Sequence, residues 1–211
     1  MQVACLLYDR FTALDIVGPF EVLNSVPGTE PVIVAERTGP ISNESHTMSI
    51  VADRTLDEVT SPDVVIVPGG FGTRALLEHE PLLDWLRTVH ENTQWTTSVC
   101  TGALLLAAAG LLDGVPATTH WLARDLLAEL GANPVSQRVV RQGKIITAAG
   151  VSSGIDMALE LVQLIHGDDV AKAVQLGIEY DPMPPLDAGS PDKAGQPIVE
   201  AVTAAFAAQA A

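Results

Sequence analysis

The chain is 211 residues long, 47% hydrophobic and 18% charged, which excludes an intrinsically disordered protein. Its 11 Lys and Arg against 26 Asp and Glu give a net charge of −15, so nucleic acids and anionic membranes would be repelled on average. A chain of this length can bury a sizeable core without a metal or disulfide, and we predict one domain over residues 1–211.

The number of cysteines, the start of the chain and its most apolar stretch indicate the cellular compartment of the protein. Cys5 and Cys100 are too few for a disulfide framework, and we expect both to remain thiols in a reducing compartment. The start of the chain, MQVACLLYDR, has no basic segment ahead of its short apolar run, so we expect no secretory signal. The most apolar stretch, residues 103–112, is far shorter than the roughly 20 residues of a membrane-spanning helix. We therefore predict a cytoplasmic protein.

The predicted elements of the first third are short buried strands separated by helix and loop. An apolar run at Val3–Tyr8 is typical of a strand buried on both faces. Residues 12–24 have helical spacing, but Gly18 and Pro19 interrupt it, so we predict a kinked or two-part helix. Further strands are predicted over residues 31–36 and 63–67, with a small antiparallel excursion between residues 39 and 60.

The rest of the chain continues the alternation. Residues 73–92 place leucines on one helical face, and residues 94–99 form a predicted strand that runs directly into Cys100. The remaining predicted elements are helices over 101–109, 121–130, 153–165 and 169–179, a hairpin of 138–141 and 144–148, and an Ala-rich last helix after a Pro/Gly-rich segment. Strands that alternate with helices predict βαβ units, so the fold class is α/β with a mostly parallel sheet.

The sharpest local feature is SVCTG, residues 98–102, where a predicted strand passes at once into a helix. Such a turn presents a reactive side chain at the carboxyl edge of the sheet, where open α/β sheets bind ligands. The helix start would also lower the pKa of the Cys100 thiol. The alternative is a small buried hydrophobe, since free cysteines are often core residues. We favour a reactive Cys100 and a core Cys5.

Other candidates rest on weaker grounds. PGGFG, residues 68–72, is either a backbone anion site or an ordinary strand-ending turn, and it matches no dinucleotide or phosphate fingerprint. Asp15 is most simply a helix N-cap and Glu21 a solvated helix face. His120 is more often a hydrogen-bonded structural residue than a base. The five histidines form no close ligand set, so we expect no metal.

Several segments carry a family resemblance: LLYDRFTALDIVGPFEVL, VVIVPGGFG, TSVCTGALLLAAAGLLDG, ATTHW and QLGIEYDPMPPLDAGSPD. Together they resemble the ThiJ/PfpI superfamily, also called class I glutamine amidotransferase-like, and within it the isocyanide (isonitrile) hydratase branch. The resemblance implies a flavodoxin-like sandwich, with helices on both faces of the sheet and a nucleophile elbow. It also implies a homodimer and no metal or organic cofactor.

The resemblance further implies a reaction and its residues. A cysteine matching Cys100 attacks the carbon of an isocyanide, and water hydrolyses the resulting thioimidate to an N-formamide. An aspartate matching Asp15 is the general acid/base, a threonine matching Thr101 supports it, and backbone N–H groups near Gly70 help hold the site. A thiolate, one acid and one water suffice for this chemistry, so we predict no catalytic role for His120.

Two departures and two alternatives qualify the resemblance. Peptidase and glyoxalase-like members carry histidine directly after the nucleophile, where this chain has Thr101, and amidotransferases use a late His-x-Glu, whereas no histidine follows His166. Regulators that share SVCTG and ATTHW need a helix-turn-helix, and we expect none in the 19 residues after Asp192. A redox-sensing role for an oxidisable Cys100 stays open as the alternative function.

Overall fold

A seven-stranded sheet forms the centre of the structure, a computed structural model that describes residues 1–210. The strands are β1 (Gln2–Leu6), β2 (Glu30–Ala35), β3 (Gly39–Ser42), β4 (Ser49–Ala52), β5 (Arg54–Thr55), β6 (Val64–Val67), β7 (Trp95–Val99), β8 (Pro116–Ala117), β9 (Asn133–Pro134), β10 (Val139–Gln142) and β11 (Ile145–Ala148). The order in the sheet is β10-β11-β7-β6-β1-β2-β5, and every neighbouring pair is parallel except β10 with β11. The predicted α/β class with a mostly parallel sheet is confirmed.

Helices from the same part of the chain cover this sheet, and the central strands are buried on both faces. These helices are α1 (Ala13–Asn24), α2 (Glu80–Asn92), α3 (Gly102–Ala108), α4 (Arg124–Glu129), α5 (Ser153–His166) and α6 (Asp168–Gly177). Two more helices, α7 (Pro191–Ala194) and α8 (Gln196–Ala210), follow in the chain. Helix α5 contacts α1 and α6, whereas α3 contacts α2 and α4. All four residues of β6 are buried, as the apolar run of a parallel strand with both faces covered requires.

Helix α1 differs from one of its two predicted forms. It is one continuous helix with Pro19 inside it, so the two-part alternative is wrong. Proline removes one backbone hydrogen bond and crowds the preceding turn. Tertiary packing offsets this cost, because the Pro19 ring is buried and a Cβ on Gly154 of α5 would lie 3.1 Å from Pro19 Cγ.

Two other helix predictions were wrong at their first turns. The helix predicted from residue 73 is a 3-10 helix at Phe71–Leu76, and α2 begins only at Glu80, with Pro81 in its first turn. Proline at that position starts a helix because its missing N–H would have had no partner. The helix predicted from residue 121 likewise opens as a 3-10 turn, Trp121–Ala123, before α4. The antiparallel excursion (β3 with β4) and the β10–β11 hairpin are confirmed.

The described chain divides into two compact units, Met1–Ile178 and the residues from Glu179 onward. The first contains the sheet, the hydrophobic core and all the candidate site residues. The second contains α7 and α8, preceded by an exposed segment that includes Met183 and Leu186. The expectation of one domain over residues 1–211 stays a prediction. None of the helices within residues 1–210 is long and apolar enough to cross a membrane.

Candidate active site

Cys100 lies at a tight turn between β7 and α3. Its φ is 55°, in the left-handed region that few residues other than glycine adopt, and its side chain is almost fully buried. Its N–H donates to the Ala149 carbonyl at 2.9 Å, and its own carbonyl accepts a 2.8 Å hydrogen bond from Thr119 Oγ1. The polypeptide therefore holds the nucleophile candidate on both sides, at the carboxyl edge of the sheet.

The loop after β6 packs directly onto this turn. A Cβ placed on Gly102 would lie 2.1 Å from the Val67 carbonyl oxygen, so no larger residue fits at the start of α3. This close approach of two backbones brings residues 68–70 beside Cys100. It also explains why the last residue of the SVCTG motif, Gly102, has no side chain.

Asp15 reaches into the same place from α1. The Gly69 N–H donates to Asp15 Oδ2 at 2.8 Å, and Asp15 is fully buried. The N-cap interpretation of this residue is wrong, because Thr12 occupies that position and the Asp15 carboxyl faces the loop. The other oxygen, Oδ1, is buried without a hydrogen bond of good geometry. Burial raises the pKa of Asp15 to about 8, although the Gly69 N–H acts to lower it.

The thiol of Cys100 is coupled to this acid. Burial raises its pKa, and the negative charge of Asp15 raises it further, whereas the N–H groups of Val151 and Thr101 act to lower it. The expectation of a lowered thiol pKa is therefore wrong in direction. The N–H groups at the helix start are present as predicted, but burial next to a carboxyl outweighs them. Asp15 and Cys100 form a pair that retains protons near neutral pH.

Thr101 and Gly70 also meet at this site. The Gly70 N–H donates to Thr101 Oγ1 at 2.9 Å, and Thr73 Oγ1 lies 3.4 Å from the same oxygen. The Gly70 N–H is thus engaged by Thr101, just as the Gly69 N–H is engaged by Asp15. The loop orients the two side chains that flank Cys100, and direct binding of substrate by Gly70 stays a prediction.

Some residues of the site escaped sequence reasoning. Tyr8, at the carboxyl end of β1, is buried, and its hydroxyl donates to the Pro68 carbonyl at 2.6 Å. Burial raises its pKa well above the usual value, and the charges of Asp15 and Cys100 add to the effect. A polar ring directly after a buried strand was a usable signal. Glu44 accepts a 3.1 Å hydrogen bond from Thr12 Oγ1. No sequence signal could have placed Glu44 near the site, because it is brought to Thr12 by the connection between β3 and β4.

His120 has a local role. The Leu122 N–H donates to its Nδ1 at 3.4 Å, so the side chain caps the 3-10 turn that follows. Burial lowers the pKa of His120 to about 4, and the charges of Arg74 and Arg124 act in the same direction. The ring is therefore neutral near pH 7, as a hydrogen-bonded structural residue would be. Glu21 is exposed on α1, in line with a solvated helix face.

Two further groups lie outside the site. Cys5 is fully buried in the middle of β1, and burial raises the pKa of its thiol to about 12. Within residues 1–210, no three His, Cys, Asp or Glu side chains are arranged to hold a metal ion. The groups that the structure brings together at the site are the Cys100 thiol, the Asp15 carboxyl and the hydroxyls of Thr101 and Tyr8.

Comparison with known proteins identifies close relatives of the whole architecture. The chain is 44% identical over 200 residues to an isonitrile hydratase from Pseudomonas putida, covering 95% of this chain and 87% of that one. A crystal structure of a ThiJ/PfpI family protein from Pseudomonas syringae superposes with a TM-score of 0.94 at 37% identity, covering 99% of this chain and 87% of that one.

A regulator is a more distant relative. The transcriptional regulator CdhR from Pseudomonas aeruginosa is 34% identical over 172 residues, which is 74% of this chain but only half of the regulator.

The DJ-1/PfpI family itself matches residues 1–164, which include the elbow, the acid and the loop that joins them. This chain belongs to the DJ-1/PfpI family.

Proposed function

We propose that the protein is an isocyanide hydratase, which adds water to R–N≡C and gives an N-substituted formamide. The observation that carries the proposal is the pairing of Cys100 with Asp15, a buried acid whose raised pKa keeps its proton available near neutral pH. The 44% identity to an isonitrile hydratase over nearly the full length of both chains supports the same reaction.

The first step forms the carbon–sulfur bond. The isocyanide carbon carries a lone pair with a formal negative charge. It accepts a nucleophile only as a proton binds to that lone pair and neutralises the charge. The Cys100 sulfur attacks this carbon while a proton held by the Cys100–Asp15 pair moves to it. The product is a thioimidate, R–N=CH–S–Cys100: one C–N π bond becomes the nitrogen lone pair, and no group leaves the substrate.

The second step consumes one water. The proton that remains on Asp15 passes to the imine nitrogen, and the carboxylate so formed takes a proton from the water, whose oxygen attacks the thioimidate carbon. The tetrahedral adduct R–NH–CH(OH)–S–Cys100 then expels the thiol, with the hydroxyl proton returning to the pair. One formamide leaves, and the starting protonation state is restored.

This reaction needs no histidine. No amine leaves, so no group has to carry a proton to a leaving nitrogen. The neutral His120 therefore has no role in the proposed reaction. Thr101 Oγ1 accepts the Gly70 N–H and donates to the Gly70 carbonyl at 3.3 Å, so it ties the loop after β6 to the residue that follows Cys100. In this proposal Cys100 is the nucleophile, Asp15 the acid/base, and Thr101 and Gly70 support them.

The proposal is tested by incubating the protein with an alkyl isocyanide and measuring the N-alkylformamide by chromatography and mass spectrometry. Catalytic formation of formamide supports the proposal, and no formamide above a protein-free control contradicts it. In water enriched with oxygen-18, the formyl oxygen should carry the label.

The redox-sensing alternative loses support from the site. Thiol oxidation follows thiolate content and exposure, and here burial and Asp15 both hold the Cys100 thiol in its protonated form. No structural observation favours it over the hydratase.

The homodimer and the cytoplasmic location belong to this proposal as well. Helix α1 exposes two apolar side chains, Leu14 at 41% and Val17 at 42%, that a second copy could cover. Light scattering at micromolar concentration should give twice the mass of the chain. A monomer mass would contradict the dimer.

A further inference from the structure

The motif ATTHW, residues 117–121, borders the elbow but supplies no residue to the proposed reaction. Thr119 within it is fully buried, and its Oγ1 donates to the Cys100 carbonyl at 2.8 Å. That carbonyl precedes α3, which begins at Gly102. A side chain 19 residues further along the chain thus holds the peptide unit that follows the nucleophile.

The conformation of Cys100 makes this hydrogen bond important. A left-handed φ at a residue other than glycine persists only where neighbouring contacts fix it. The Cys100 N–H is fixed by the Ala149 carbonyl at 2.9 Å, and its C=O by Thr119. With both peptide units held, the Cα–Cβ direction is set, and the sulfur stays beside Asp15 and the N–H groups of Thr101 and Val151.

We propose that Thr119 is a positioning residue for Cys100, whose hydroxyl keeps the elbow in its left-handed conformation and the sulfur in register with Asp15. Its effect on turnover rests on the proposed function. Its effect on the thiol does not, because the reactivity of Cys100 can be measured without any isocyanide.

The neighbouring threonine provides a matched control. Thr118 is also fully buried, and its Oγ1 donates to a backbone carbonyl, that of Gln137, at 2.7 Å. Replacing either threonine by valine removes one buried hydrogen bond and keeps the side-chain shape. Only the Thr119 substitution touches the elbow.

The test measures iodoacetamide labelling of Cys100 as a function of pH, located by peptide mass spectrometry, together with kcat and KM on an alkyl isocyanide. For Thr119→Val we expect labelling at pH 7 to become faster by about tenfold or more, because a sulfur that leaves its buried place beside Asp15 loses the two effects that raise its pKa. The midpoint of labelling should move to lower pH, and kcat should fall more than KM rises, because the sulfur is no longer held in register with Asp15. Thr119→Ser, which keeps the hydroxyl, and Thr118→Val should both stay within about threefold of the parent protein.

Each other outcome overturns the proposal. Unchanged or slower labelling of Thr119→Val, or an equal change in Thr118→Val, would make Thr119 an ordinary structural residue. If Thr119→Val does not fold, Thr119→Ala replaces it, and failure of both to fold would likewise assign Thr119 to stability alone. A parent protein that labels as described but forms no formamide would contradict the proposed function and leave the positioning role standing.

Discussion

Asp15 and Gly69 are joined by a 2.8 Å hydrogen bond between residues 54 positions apart, the backbone N–H of Gly69 donating to the carboxyl of Asp15. The next N–H of the same loop, that of Gly70, donates to Thr101. Two consecutive peptide groups thus hold the acid and the threonine beside Cys100. A short glycine loop, otherwise an ordinary strand ending, organises the candidate active site.

Replacing Asp15 should separate acid/base chemistry from thiol reactivity. Asp15→Asn keeps the shape but cannot exchange the proton, so we expect kcat to fall by about 10²-fold or more. Labelling of Cys100 should be no slower than in the parent, because the carboxylate charge that raises the thiol pKa is gone. The two rates are measured by formamide production and by iodoacetamide labelling.

His120→Asn is the control for that substitution. The His120 ring is neutral, its Nδ1 accepts from the Leu122 N–H, and no step of the proposed reaction uses it, so the folded variant should retain most of the hydration rate. An active Asp15→Asn beside an inactive, folded His120→Asn would reverse the assignment of roles.

The two cysteines should differ in native labelling. Both are buried, but Cys100 lies at the carboxyl edge of the sheet and is 5% exposed, whereas Cys5 is 0% exposed within β1 between β2 and β6. At neutral pH we expect iodoacetamide to modify Cys100 and leave Cys5 intact, as read by peptide mass spectrometry. Equal modification of both thiols in the folded protein would argue against the elbow assignment.

Asp15 should also make the folded protein less stable as pH rises. Its pKa is about 8 in the fold against 3.8 as a model acid, so between these values the folded state binds more protons than the unfolded state. The free energy of unfolding then falls with rising pH, by at most about 1.4 kcal/mol per unit.

The variant Asp15→Asn isolates this effect from every other group. Its stability relative to the parent, measured by urea unfolding, should increase between pH 5 and pH 7. A difference between the two proteins that is constant over this range would contradict a raised pKa for Asp15.

The close approach at Gly102 gives a stability prediction. A Cβ there would lie 2.1 Å from the Val67 carbonyl, so Gly102→Ala must displace α3 or the loop and should destabilise the protein by about 1–3 kcal/mol. Gly177→Ala is the control, since nothing lies within 4 Å of its Cβ position and alanine favours a helix. Thermal unfolding should show a lower Tm for the first variant only. A Tm of Gly102→Ala equal to that of the parent protein would contradict the close contact between Gly102 and Val67.

Sequence reasoning found the elements that local patterns determine. The parallel strands appeared as apolar runs, and SVCTG marked the turn, because both depend on neighbouring residues. The start of α2 was predicted too early in the chain, because Pro81 lies in the first turn of that helix. The continuity of α1 depends on the packing of Pro19 against Gly154. Local pattern does not contain such tertiary contacts.

The thiol pKa shows the same limit at the site. A helix start predicts a lowered pKa for Cys100, and the Thr101 and Val151 N–H groups do act in that direction. Burial and the proximity of Asp15 outweigh them, and both follow from the meeting of α1 with the loop after β6. The turn motif marked Cys100 and the family resemblance suggested Asp15, Thr101 and Gly70, whereas the charge states of Cys100 and Asp15 required the fold.

The most direct measurement is the mass of the protein quenched with acid during turnover of an alkyl isocyanide. We predict a covalent adduct on the Cys100 peptide, equal in mass to one isocyanide, that forms and decays as fast as formamide appears. Cys100→Ser should give neither the adduct nor the product. Formamide production by folded Cys100→Ser at the parent rate, with no adduct in the parent, would contradict a thioimidate on Cys100.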